Sequence, residues 1–192
     1  MGKQIGKSCK IIGVTPSIIL NDPKYAHNVA YALRLASCYG FKQVWYTGDR
    51  VRMDIEAKGR MPREERMKGY NDVDLINFDY PFDQFENAVP VGVELRPNAE
   101  NILDFEHPEN SVYVFGPEDG SLSYVCKSHC HRFIYVPTFH CLSVSHALSA
   151  VMTHRMTTYH KKGDKAPPHI ADILKEERRW TNLGLFSQGE SV

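Results

Sequence analysis

Apolar and β-branched residues run from Ile11 to Leu20, interrupted by Pro16, which predicts one strand with a kink or a strand followed by a short second run. The turn-rich NDPKYAHN comes next, and from Asn28 the spacing becomes helical: Val29, Leu33, Ala36 and, one turn on, Tyr39 recur before Gly40 offers a stop. Residues 43–47 (QVWYT) form a short strand pattern, and VDLINF (73–78) and AVPVGVEL (88–95) read as further strands. Between and after them FDQFEN and NAENILDF read as short helices. SVYVFG (111–116) predicts a strand, SLSYVCKSH a helix, RFIYVP (132–137) a strand, and residues 141–160 a long helix with an apolar face. After Gly163 a Pro-Pro break leads to the charged helical pattern IADILKEERRW. Strands alternating with helices predict an α/β domain with a mostly parallel sheet, and no internal repeat is visible.

The chain's 192 residues amount to about one domain. With 42% hydrophobic and 24% charged residues it can bury a sizeable core. Lysine plus arginine total 23, as do aspartate plus glutamate, so net charge is +0. Whole-chain neutrality argues against binding nucleic acid by bulk positive charge. The zero is a cancellation, however. Residues 50–70 are basic (Arg50, Arg52, Lys58, Arg60, Arg63, Arg66, Lys68), residues 72–109 are acidic with Arg96 their only strong base, and a basic set (Arg155, Lys161, Lys162, Lys165, Lys175, Arg178, Arg179) follows. Localised grips on phosphate remain open to such a chain.

No apolar run approaches the roughly 18 residues of a spanning helix, and the N-terminus lacks the apolar centre of a signal peptide. A cytoplasmic protein without membrane contact is expected. Met1-Gly2 suggests myristoylation, but Gly6 occupies the position that needs Ser or Thr. The five cysteines are odd in number and scattered, as reduced thiols are. Cys126, His129, Cys130 and His131, with His140 and Cys141, form a soft-ligand cluster that invites a zinc reading. Their spacing matches no common structural zinc pattern, so no metal is expected.

There is no G-x-G-x-x-G after the first strand and no Walker A lysine loop. Two other segments, FGPEDGSLS (115–123) and YVPTFHCLSVSHALSAV (135–151), put small or kinked residues after a strand and before a helix. Open α/β sheets bind ligands there, although ordinary strand-to-helix turns have the same composition.

Together with Asn28, Ala30 and Arg34 in the first helix, these segments resemble the three ordered motifs of SpoU-type RNA ribose 2′-O-methyltransferases of the SPOUT superfamily. The second motif is matched by Phe115, Gly116, Pro117 and Glu118. The third is matched by Val136-Pro137 and then Cys141, Leu142, Ser143, Val144 and Ser145. The chain departs from the pattern at Ala30 (usually Gly), Ser121 (often Gly), Cys141 (Ser) and Ser143 (Asn). Ser143 is the serious departure. An asparagine amide donates and accepts at two sites while serine offers one hydroxyl, so either the network is rebuilt or activity is reduced.

The resemblance implies a Rossmann-like fold over residues 1–160 whose C-terminal part forms a deep trefoil knot, an exception to the rule against knotted chains, with residues 161–192 as a basic helical extension. It implies S-adenosylmethionine as cofactor, held largely by backbone groups around Gly116, Val136, Cys141 and Leu142, with Val91 and Gly92 as weaker choices. It implies a homodimer acting on RNA, with tRNA favoured over rRNA because no separate RNA-binding domain precedes the motifs. Arg34 is then the group that fixes the target phosphate and stabilises the developing alkoxide. Asn28 orients Arg34 or the ribose, and Glu118 either pairs with Arg34 across the dimer or holds the motif-two loop. The apolar face of the 141–160 helix serves core or dimer interface. A knotted RNA-binding module with little or no turnover is the alternative.

Overall fold

The computed structural model describes residues 12–59 and 72–162. The chain divides into two compact units, residues 1–156 and 157–192. The basic stretch 60–71 and the charged helix expected at 170–180 lie outside the described residues.

Among its described residues the first unit contains seven strands: β1 (Ser17–Leu20), β2 (Gln43–Tyr46), β3 (Asp74–Asn77), β4 (Val89–Val93), β5 (Glu100–Asn101), β6 (Ser111–Phe115) and β7 (Arg132–Tyr135). They form one sheet in the order β3-β2-β1-β6-β4-β7-β5. Every pairing is parallel, so the expected mostly parallel sheet is parallel throughout. The helices are α1 (Ala26–Cys38), α2 (Arg50–Lys58), α3 (Tyr124–His129) and α4 (Val144–Lys161), with single 3₁₀ turns at Pro81–Gln84 and Ile102–Asp104.

Both faces of the sheet are covered, and alternate strand residues divide between two cores. Ile18 and Leu20, Val44 and Tyr46, and Tyr113 and Phe115 point into one, where Val29 and Leu33 of α1 and Leu148, Val151 and Met152 of α4 meet them. Ile19, Trp45, Val112 and Val114 point into the other, beneath Leu122, Cys126 and the rings of Phe78, Phe82 and Phe85. The acidic sequence 72–109 contributes to both, through Val91, Ile102 and Phe105 to the first and through Ile76, Phe78, Phe82 and Phe85 to the second.

Three expectations need adjustment. The run before Pro16 is not strand: β1 begins at Ser17, and Gln43 holds the segment ahead of it through Val14 N (2.7 Å) and Ile12 O (3.1 Å). The basic segment, read from sequence only as a hydrophilic excursion, opens as helix α2, whose few apolar residues, Val51 among them, gave no stripe to detect. The helix expected at 98–105 is a two-residue strand followed by a 3₁₀ turn.

Candidate active site

In a parallel sheet all strands present their C-terminal ends to the same side. The loops after β1 (21–25), β6 (116–123) and β7 (136–143) therefore emerge together. Strands β1 and β6 are neighbours, yet α1 packs on one face of the sheet and α3 on the other. The chain thus diverges at the β1/β6 boundary, which opens the crevice where ligands of such sheets bind.

The N-cap residue of α1, Tyr25, provides no side-chain cap of its own. Glu118 supplies one from the neighbouring loop: Oε2 accepts from Lys24 N at 2.7 Å, and Oε1 accepts from Tyr25 N at 3.4 Å and from Asn28 Nδ2. A carboxylate at a helix N-terminus is also favoured by the helix dipole. The structure thereby joins Asn28 and Glu118. It does not join either to Arg34, which lies farther along α1, half-buried, with no ion pair among the described residues.

Two groups that sequence reasoning missed support this junction. Asn21, buried directly after β1, donates to Thr47 Oγ1 (3.1 Å) and accepts from Ser123 N (2.7 Å), while Thr47 Oγ1 also accepts from Asp22 N (2.9 Å). One side chain thus ties together the loops after β1, β2 and β6. On the surface Arg50 pairs with Asp22 (3.0 Å) and Asp119 (3.1 Å), and Lys24 pairs with Asp119 (3.3 Å). Hydrogen bonding from Arg50, then from Lys24, holds the Asp119 carboxyl below the usual carboxylate range against the cost of desolvation. The clearest sequence signal for these groups was a polar Asn-Asp placed immediately behind an apolar strand.

The loop after β7 is open. Phe139 is fully exposed and Leu142 is 38% exposed, and Cys141 is exposed as well. Among the described residues, the N–H groups of Phe139 to Leu142 make no backbone hydrogen bond, while Val136 is half-buried against the core. Ser143 ends this loop just ahead of α4. Its Oγ lies 2.6 Å from His146 Nδ1 and 3.0 Å from Ser145 Oγ. His146 is a neighbour that sequence reasoning did not single out, although S-x-x-H at a helix start places both side chains on one face.

Gly116 fits a loop that folds back on itself: a Cβ there would sit 3.2 Å from Leu122 N. Val91 and Gly92 lie within β4 and not after it. The Val91 side chain is wholly buried, and a Cβ on Gly92 would sit 2.6 Å from the Phe133 ring, so close packing accounts for both positions.

Cys126 and Cys130 are buried, and burial pushes the Cys130 thiol up to about 12. Metal ligation requires thiolates. Among the described residues, no group of three or more His, Cys, Asp or Glu is gathered to hold a metal ion, and no helix is long and apolar enough to cross a membrane.

Comparison with known proteins gives the site a context. The fold resembles the A. aeolicus TrmH/SpoU tRNA modifying enzyme at 18% identity, with a TM-score of 0.63 and 93% of each chain covered. It resembles the SpoU methyltransferase AviRb from Streptomyces viridochromogenes, crystallised with AdoMet, at 16% identity and a TM-score of 0.62, covering 76% of this chain. This chain spans 60% of the AviRb length. A structure concerned with 2-OH methylation of C/U34 on tRNA matches at 14% identity and a TM-score of 0.60, covering 75% of this chain and 90% of that one. No curated protein sequence matches. The model of the SpoU rRNA Methylase family matches residues 16–153, which includes all three motifs, and the chain belongs to that family.

Proposed function

We propose that this chain is an S-adenosylmethionine-dependent RNA ribose 2′-O-methyltransferase that acts on tRNA as a cytoplasmic homodimer, with the C-terminal trefoil knot of its family. The observation that carries this reading is the junction of Asn28 and Glu118, which unites the first two motifs at the ligand-binding end of the sheet.

The residues present suit the cofactor. Unpaired backbone N–H groups of residues 139–142 can recognise an adenine edge, Val136 and Leu142 offer apolar contact, and Gly116 admits close approach. Backbone recognition also explains why Cys141 can replace the family's serine. S-adenosylmethionine would supply an electrophilic methyl group on its sulfonium. The chain's own task is to present the ribose hydroxyl in line with it, and holding two reactants in register supplies on the order of 7–11 kcal/mol. Arg34 carries a planar cationic guanidinium, so it serves to fix phosphate and to stabilise developing negative charge. Glu118, by capping α1, sets the position of the helix that carries Asn28 and Arg34.

The decisive experiment is mass spectrometry of nucleosides from tRNA and rRNA incubated with the protein and S-adenosylmethionine. A 2′-O-methylated nucleoside from tRNA is expected; base methylation alone refutes the ribose assignment. Arg34→Ala should abolish transfer while calorimetry shows unchanged cofactor binding. Wild-type turnover by that variant removes Arg34 from the mechanism. The substitution at Ser143 favours a second reading, a knotted RNA-binding module of low turnover, which predicts tight cofactor binding without transfer to any RNA.

A further inference from the structure

A ribose hydroxyl must lose its proton as it is methylated, and neither a guanidinium nor a serine accepts one readily at neutral pH. Imidazole does. Ser143 stands where the family pattern has an asparagine, and its closest polar contact is a ring nitrogen. A serine ahead of a helix ordinarily accepts from the backbone N–H three residues on. Here that contact, from His146 N, is long at 3.4 Å, whereas the contact to His146 Nδ1 is 2.6 Å. Both side chains are exposed beside the open loop after β7.

The hydroxyl of Ser143 has one proton to give and two lone pairs. With the proton donated to Nδ1, Ser145 at 3.0 Å donates to the oxygen. An incoming ribose hydroxyl can take the place of Ser145 as donor. A short contact of this kind serves both charge states of the ring: the serine donates to neutral imidazole, and imidazolium donates back to the serine.

We propose that Ser143 and His146 form a proton relay for the ribose 2′-hydroxyl, the rebuilt counterpart of the family's asparagine. The inference rests on the reading of this chain as a ribose methyltransferase. As the 2′-oxygen bonds to the methyl carbon, the carbon–sulfur bond breaks with its electron pair on sulfur. The hydroxyl proton passes to Ser143 Oγ, and the serine's own proton passes to His146 Nδ1. The positive charge lost from sulfur reappears on imidazolium, which then releases its proton to solvent. Ser143 touches the substrate; His146 acts through it.

The test combines single-turnover kinetics with calorimetry, using full-length protein, tRNA and S-adenosylmethionine. His146→Gln can still accept a hydrogen bond from Ser143 but cannot take up a proton. Its methyl-transfer rate should fall about 100-fold, the lower end for a lost general base, with cofactor and tRNA affinities within about twofold of wild type. Free imidazole should restore turnover to His146→Ala, which it would not do for a residue of structural importance alone. In the Ser143→Asn background, the loss caused by His146→Gln should shrink to about threefold or less. Nitrogen-15 spectra of the free protein supply a readout independent of activity: His146 Nδ1 should appear as a hydrogen-bond acceptor, and Ser143→Ala should shift it. If wild-type protein methylates ribose and His146→Gln keeps its rate, or loses equally in both backgrounds, the relay is overturned while the ribose reading stands. Wild-type protein that methylates no ribose overturns both.

Discussion

Glu118 does for α1 what the helix's own Tyr25 does not, using two oxygens to satisfy two backbone donors and one amide. Replacing it with alanine should cost about 0.5–2 kcal/mol, the range for a lost helix cap, measured by chemical denaturation. An unchanged midpoint would show that water caps the helix equally well. The cysteines give a sharper contrast. Cys126 and Cys130 are buried with thiols raised by burial, whereas Cys38 and Cys141 are exposed. Brief iodoacetamide treatment of folded protein should label Cys38 and Cys141, with Cys126 and Cys130 reacting after unfolding, as read by peptide mass spectrometry. At this scale the motifs named Asn28 and Glu118 as residues of interest, but not the contact between them, which replaces the expected ties of each to Arg34. The sequence was mute about Asn21, Thr47 and Arg50. Their partners are 26, 102 or 69 residues away, and no local period encodes such a tie.

At the scale of elements, strands were legible because apolar runs bounded by turn residues survive burial on both faces. Helix α2 was hidden because its surface is made of ion pairs: Arg52 with Asp49 and Glu56, and Lys58 with Asp54. Strand β5 was hidden by its length, since two residues carry no alternation. What holds this edge is partly a side-chain pair: Arg132 of β7 binds Glu100 of β5 through Nε (2.8 Å) and the opposite oxygen, while its guanidinium lies 4.3 Å from the Phe105 ring centroid. The Arg132 hydrogen bond holds the Glu100 carboxyl below its usual range. Because the folded value lies below the unfolded one, the stabilisation is present above the unfolded value, near pH 4, and disappears as pH falls through the folded one. Glu100→Gln should therefore cost roughly 0.2–1 kcal/mol at pH 7, given that both groups are well exposed, and progressively less as the pH is lowered into the acid range. Melting curves over an acid pH series check it. On the opposite side of the ledger of burial, Leu148 of α4 is wholly enclosed, so Leu148→Ala should cost about 2–5 kcal/mol by denaturation.

For the molecule as a whole, zero net charge conceals a division of labour that sequence order alone could not resolve. The described part of the basic segment is already neutralised, since Arg50, Arg52 and Lys58 each face a carboxylate. That turns attention to the later basic set. Neutralising Lys161, Lys162 and Lys165 should weaken tRNA binding and flatten its dependence on salt, measured by filter binding across a salt series. An unchanged slope would remove these lysines from the phosphate grip. The fold class was readable from the order of strands and helices, and the segments 115–123 and 135–151 were singled out as loops at strand ends, whereas the loop after β1 was read only as a turn and the position of β6 between β1 and β4 was not read at all, because parallel order is set by long crossovers.

The capping of α1 by Glu118 has a consequence for how the two ligands influence each other. Under the proposed function, the loop bearing Glu118 belongs to the cofactor's side of the site and the helix bearing Arg34 to the RNA's side. A carboxylate that bridges them gives each ligand a route to act on the other. By thermodynamic linkage, whatever factor tRNA applies to cofactor affinity, the cofactor must apply to tRNA affinity, and removing the bridge should bring both factors toward one together.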